Sequence, residues 1–145
     1  TALGPFDPDP SLGTLEAIDA IAAASAPITV ALTSVAQFPD GTIHLRPDSD
    51  ARLRALTKSL VAAFPEHPPY GGRFGADVDP HLTLDATYAE PGPDGPVTVE
   101  TTRALLGDLI PVTVTLTELQ LAWWEAGGCR VLHRWRLGPS PDPAV

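Results

Sequence analysis

Pro80-His81-Leu82-Thr83-Leu84 is the stretch from which the rest of this chain can be read. It reads as a strand, and side chains alternate faces along a strand, so His81 and Thr83 point the same way. An imidazole that titrates near neutral pH then stands beside a hydroxyl that can hold an oxygen. That pairing suits the handling of a phosphate. The chain opens on Thr1-Ala2-Leu3, which looks like the tail of a second copy of the same motif.

The segments around these two points can be placed by periodicity and turn chemistry. Thr1 to Phe6 is expected as a short strand ended by the Asp7-Pro8-Asp9-Pro10 turn. Ser11 or Thr14 can cap a helix whose apolar stripe is Leu15, Ile18, Ile21 and Ala22. Ile28 to Phe38 alternates like a strand, Asp40-Gly41 is a hairpin turn, and Thr42 to Arg46 returns as its partner until Pro47 stops it. Ser49 or Asp50 then opens a helix to about Phe64, with Leu53, Leu56, Leu60 and Val61 at helical spacing. A loop rich in Pro and Gly runs from Pro65 to Gly72. The remaining elements are a strand from His81 to Tyr88, an exposed link from Glu90 to Pro96 and a helix from Val99 to Leu106. Val112 to Trp124 reads as one long strand or two abutting ones, and Arg130 to Leu137 as the last strand. Residues 139–145 are expected as a loose tail. The order from Thr1 to Arg46 recurs from His81 to Leu137, which predicts an internal duplication.

Bulk properties narrow the function. A chain of 145 residues with 43% apolar content fits one domain with a real core. A formal charge of −9 argues against drawing in long nucleic acid by a general field. Nucleotide chemistry, if present, belongs in a local pocket acting on small substrates or chain ends. The single cysteine, Cys129, allows no internal disulfide and reads as a buried thiol. No apolar run reaches membrane-spanning length and no signal-peptide pattern is present, so a cytoplasmic protein without a membrane partner is expected. The chain begins at Thr1 and contains no methionine, so its natural start is expected further upstream.

Together these features resemble the two-histidine (2H) phosphoesterase superfamily, and most closely its 2′-5′ RNA ligase-like, or cyclic phosphodiesterase, branch. That family has two His-x-Thr/Ser-x motifs, one per lobe. His81-Leu82-Thr83-Leu84 matches the second in full. Thr1-Ala2-Leu3, followed by Gly4-Pro5-Phe6, matches the end of the first, whose histidine would stand two residues before Thr1. Phe64-Pro65-Glu66-His67-Pro68-Pro69-Tyr70-Gly71-Gly72 resembles the loop ahead of the second motif in bacterial members. The resemblance implies an α+β fold of two pseudo-symmetric lobes, each an antiparallel sheet with outer helices, and a cleft between the sheets. Residues 1–138 would form that single domain. It also implies a phosphoesterase that opens 2′,3′-cyclic phosphates or acts on 2′-5′ linkages, with no metal and no cofactor. One histidine would take a proton and the other give one, while Thr1 and Thr83 hold the non-bridging oxygens.

Further candidates surround these three. His44 and Arg46 share a strand face, where they either contact phosphate or base or form a solvent-facing pair. Tyr70 either stacks on a nucleobase or donates to phosphate, or else it anchors its own loop. Arg134, with Arg130 and Arg136, forms a basic strip that either meets RNA phosphates or is solvated. His133 reads as a partly buried structural residue, and at least one of Trp123 and Trp124 as core. The expected partner is a nucleotide or an RNA end, met by a monomer. The other reading is a non-catalytic nucleotide- or RNA-binding module with a one-histidine site.

Overall fold

The computed structural model describes residues 1–75, 77–87 and 95–138. The tail expected over 139–145, Tyr88 and most of the Glu90-to-Pro96 link lie outside the described residues. The chain divides into two units, and neither coincides with the Thr1-to-Arg46 or the His81-to-Leu137 stretch of the apparent duplication. One unit takes residues 1–28, 51–78 and 115–145, and the other takes 29–50 and 79–114. The hairpin of the first half therefore joins the histidine strand of the second half.

In the second unit that hairpin follows from local chemistry. Strand β1 (Ile28–Gln37) turns at Phe38-Pro39-Asp40-Gly41 into β2 (Thr42–Pro47). The Gly41 N–H donates to the Phe38 carbonyl at 2.9 Å, and the Phe38 N–H donates to the Thr42 carbonyl at 3.0 Å. Gly41 has φ +92°, a conformation that favours glycine. Ile28, Val30 and Leu32 are buried, then a bulge between Leu32 and Ser34 shifts the phase and Val35 becomes the next buried residue. Strand β3 (Leu82–Ala86) pairs antiparallel with β2, and β4 (Val112–Leu116) completes the sheet in the order β3-β2-β1-β4. Helix α3, after β3, spans Val99–Leu106 as its sequence predicts, and the Thr98 and Thr101 side chains close a reciprocal cap at its start.

The first unit carries helices α1 (Leu12–Ala23) and α2 (Ala51–Ala63) and the antiparallel pair β5 (Glu118–Glu125) and β6 (Gly128–Arg136). Ser11 is the cap of α1, its hydroxyl accepting the Thr14 N–H at 3.2 Å. Ile18 and Ala22 of the predicted stripe are buried, as is Leu60 of α2. The end of β6 is tied to α1 where the Gly138 N–H donates to the Ala22 carbonyl at 3.1 Å.

Three expectations change. Thr1 to Phe6 is not a strand. The loop before Gly72 clamps it instead: the Gly4 N–H donates to the His67 carbonyl at 3.3 Å, the Gly71 N–H to the Gly4 carbonyl at 2.7 Å, and His67 Nδ1 to the Pro5 carbonyl at 2.9 Å. Phe6 packs edge-on against Phe64 at 5.6 Å. Of the two readings of Val112 to Trp124, the two abutting strands hold: the run breaks at Thr117, and its two parts enter different sheets. Trp123 and Trp124 are both exposed, as is Cys129, because they sit where β5 and β6 run out toward the Ala126-Gly127 turn.

Candidate active site

Strand register brings four of the predicted residues onto one sheet face in the second unit. His44 on β2 lies opposite Thr83 on β3 and opposite Ala36 on β1. Directly opposed residues on neighbouring strands point to the same side. Arg46, two residues on, shares that face and stands opposite Ser34. His81 precedes Thr83 by two, and its ring reaches His44 with centroids 5.3 Å apart and planes at 64°. Thr83 and Arg46 are exposed and His81 is half-buried.

His44 is placed differently from expectation. It is 3% exposed, the one buried polar residue of the described core, and offers almost no surface to a ligand. The reason is Phe38, the last residue of the strand predicted from Ile28 and not one of the candidate site residues. Its ring stacks on His44 at 3.9 Å and 18°, and meets His81 edge-on at 4.8 Å and 81°. The Asp40-Gly41 hairpin could have revealed it: the turn puts Ala36 opposite His44, and alternation then places Phe38 on the same face.

Backbone carbonyls set the proton positions of both rings. His81 Nδ1 lies 2.7 Å from the Asp79 carbonyl, and His44 Nδ1 lies 3.3 Å from the Thr42 carbonyl. A carbonyl only accepts, so each Nδ1 carries hydrogen and each neutral ring presents a lone pair at Nε2. For His81 that leaves Nε2 as the atom that can take or give a proton at a ligand.

Burial pushes the His44 pKa below its ordinary value, chiefly by desolvation and also through the nearby His81 and Arg46 charges, while the Thr42 hydrogen bond and Asp79 oppose the shift. The folded ring therefore binds a proton less readily than the unfolded ring, whose value is 6.5. Its contribution to stability is complete above that pH and is lost as the pH falls below it, until the folded ring itself protonates. A His44→Phe variant is expected to lose less of its urea midpoint between pH 7 and pH 5 than the native protein. Equal losses would show that His44 does not titrate across folding.

The other candidates lie in the first unit. Thr1 and Tyr70 line a cavity of about 560 Å³ together with Phe6, Leu119, Trp124 and Trp135. Tyr70 holds φ +55°, the one positive φ at a non-glycine among the described residues, with its ring edge-on to Phe74 at 5.4 Å. A bulky residue in that region carries strain on the order of 1–2 kcal/mol. Arg134 sits outside this cavity on β6, where it is engaged by Glu118. Hydrogen bonds from Gln120 and then from Arg134 hold the Glu118 carboxyl below its usual value. One member of the basic strip is thus already paired. His133 is half-buried and stacks with Trp135 at 5.8 Å. Among the described residues no group of three or more His, Cys, Asp or Glu could hold a metal ion, and no helix is long and apolar enough to cross a membrane.

The fold is α+β, built of antiparallel strands and helices, with His81 and Thr83 on one sheet face. The model of the 2′-5′ RNA ligase superfamily matches residues 1–128, and the chain belongs to that superfamily of 2H phosphoesterases. Solved structures show the same fold. One, a phosphoesterase, is 21% identical with a TM-score of 0.52 over 90% of this chain and 72% of its own. TT0787 of Thermus thermophilus is 17% identical with a TM-score of 0.53, covering 92% and 75%. LigT of Escherichia coli, complexed with 3′-AMP, is 22% identical with a TM-score of 0.51, covering 88% and 71%. A comparison with curated protein sequences gives no match.

Proposed function

We propose that this protein is a phosphoesterase that opens 2′,3′-cyclic phosphates or cleaves 2′-5′ linkages in small nucleotides or RNA ends, without a metal. The observation that carries this reading is the His81–Thr83 pair on an open sheet face, with the imidazole held so that Nε2 is the ring atom available to a ligand. Nε2 of His81 exchanges a proton with the attacking or the leaving oxygen. The Thr83 hydroxyl donates to a non-bridging oxygen as charge builds there, and the exposed Arg46 guanidinium on the same face favours an anion. An in-line displacement needs a second proton carrier. The resemblance of Thr1-Ala2-Leu3 to the end of a first motif implies a histidine two residues before Thr1 as that carrier. LigT was solved with 3′-AMP, a ribonucleotide monophosphate, which supports the choice of substrate class.

The test is a panel of 2′,3′-cyclic nucleotides and 2′-5′ dinucleotides, assayed on the full-length protein with a chelator present. Turnover that survives the chelator supports the proposal. Binding without turnover would favour a one-histidine binding module, and turnover that vanishes with chelator would overturn the metal-free step. Thr83→Val keeps the shape and the strand propensity but removes the donor. It is expected to lower kcat by about 10²-fold, with KM changed much less. A native kcat in that variant would remove Thr83 from the reaction.

A further inference from the structure

We infer that His44 and Phe38 are positioning residues for His81: together they form a two-ring slot that fixes the His81 imidazole, and His44 links its own proton state to that of His81. The catalytic part of this inference rests on the function proposed above, whereas the ring coupling does not.

An imidazole at the edge of a strand is normally free to sample several side-chain rotamers. Three contacts remove that freedom here. The Asp79 carbonyl takes the Nδ1 hydrogen at 2.7 Å, Phe38 meets the ring at 4.8 Å, and His44 meets it at 5.3 Å. Phe38 is common to both imidazoles, lying flat on His44 and edge-on to His81. The two histidines are therefore wedged by one aromatic side chain that the hairpin turn sets in place. His44 does this work from inside the sheet, at 3% exposure, so it acts through His81 and not by touching substrate.

The charged and titratable groups that act on His44 are His81, Arg46 and Asp79. Two of the three disfavour its protonated form. A proton on His44 places a positive charge about one ring diameter from His81, which opposes a proton on His81 and pushes the rings apart. The slot is thus firm while His44 is neutral and loosens once it is charged.

Two His44 variants separate shape from charge. His44→Phe keeps a flat ring under Phe38, and the Thr42 carbonyl still accepts the Phe38 N–H at 3.0 Å. His44→Ala empties the slot. Imidazole resonances of the native protein are followed by NMR as the pH is lowered. The His81 signal is expected to show a second inflection below the ordinary histidine range, where His44 takes its proton. That inflection is absent in His44→Phe, and His81→Asn raises the pH at which His44 titrates. With a 2′,3′-cyclic nucleotide, His44→Ala is expected to lose about 10–100-fold in kcat, the scale of a reacting group displaced by about 1 Å, at nearly constant KM. His44→Phe is expected to recover most of that loss. A His81 titration that ignores the His44→Phe change overturns the inference. So does a His44→Ala variant that raises KM at native kcat, which would mean direct substrate contact. If the native protein turns over no substrate in the panel, the proposed function fails, and the NMR titrations decide the ring coupling by themselves.

Discussion

His81→Ala is expected to cut turnover of a 2′,3′-cyclic nucleotide by about 10²–10⁴-fold, the usual contribution of a positioned general acid or base. The loss should fall mainly on kcat, because the imidazole acts on a proton in flight and contributes little to holding the nucleotide before reaction. The fold should survive. His81 is half-buried, stands one residue outside β3, and makes ring contacts with Phe38 and His44. Losing those contacts costs roughly 1 kcal/mol, or a few degrees in Tm. A circular dichroism melt beside the steady-state assay separates the two effects. Turnover within tenfold of native, in a folded variant, would remove His81 from the chemistry. The change is also cleaner than one at Phe38, which would disturb both imidazoles together.

Much of this site was legible before any coordinates. A histidine and a threonine two apart share a face on any strand, and Asp40-Gly41 fixes the register of the preceding hairpin. Together these place His44 and Arg46 on the side of β2 where they lie. What pairwise alternation cannot supply is which strand lies beside which. The β1–β2 hairpin joins β3 from the other half of the chain, and only that long-range pairing sets His44 opposite Thr83. For the same reason His44 could be given a face but not a depth. Its burial comes with Phe38, whose place on that face follows from alternation but whose ring stacking on His44 does not.

Thr1 to Phe6 shows the opposite failure. Its residues suit a strand, yet it is held by backbone bonds to the His67–Gly71 loop. Tertiary partners decided the outcome over local propensity there. Trp123 and Trp124 mislead similarly. Aromatic residues are assigned to a core by size, but β5 carries this pair out to its turn end, where both stay in contact with solvent.

Ile43→Ala is the substitution expected to cost the fold most. Ile43 is 0% exposed and is among the largest fully buried side chains of the described residues. It sits on β2, between β1 and β3, opposite Gln37 on one side and Asp85 on the other. Truncating a buried isoleucine removes the transfer energy of its lost carbons and leaves a void that a strand paired on both sides cannot close. The cost is about 2–5 kcal/mol, which for a chain of this length lowers Tm by roughly 5–15 °C. Leu82→Ala on the neighbouring β3 is the control, since Leu82 is 50% exposed and its truncation should cost well under that. Urea melts of the two variants give the comparison directly. A larger loss in Leu82→Ala would mean that the core does not sit behind β2. The catalytic consequence follows from geometry. Ile43 and His44 are adjacent on one strand and face opposite sides, so slack introduced behind β2 is passed to the ring beneath Phe38 and from there to His81. Ile43→Ala should therefore lower kcat below the native value even at temperatures where it is fully folded.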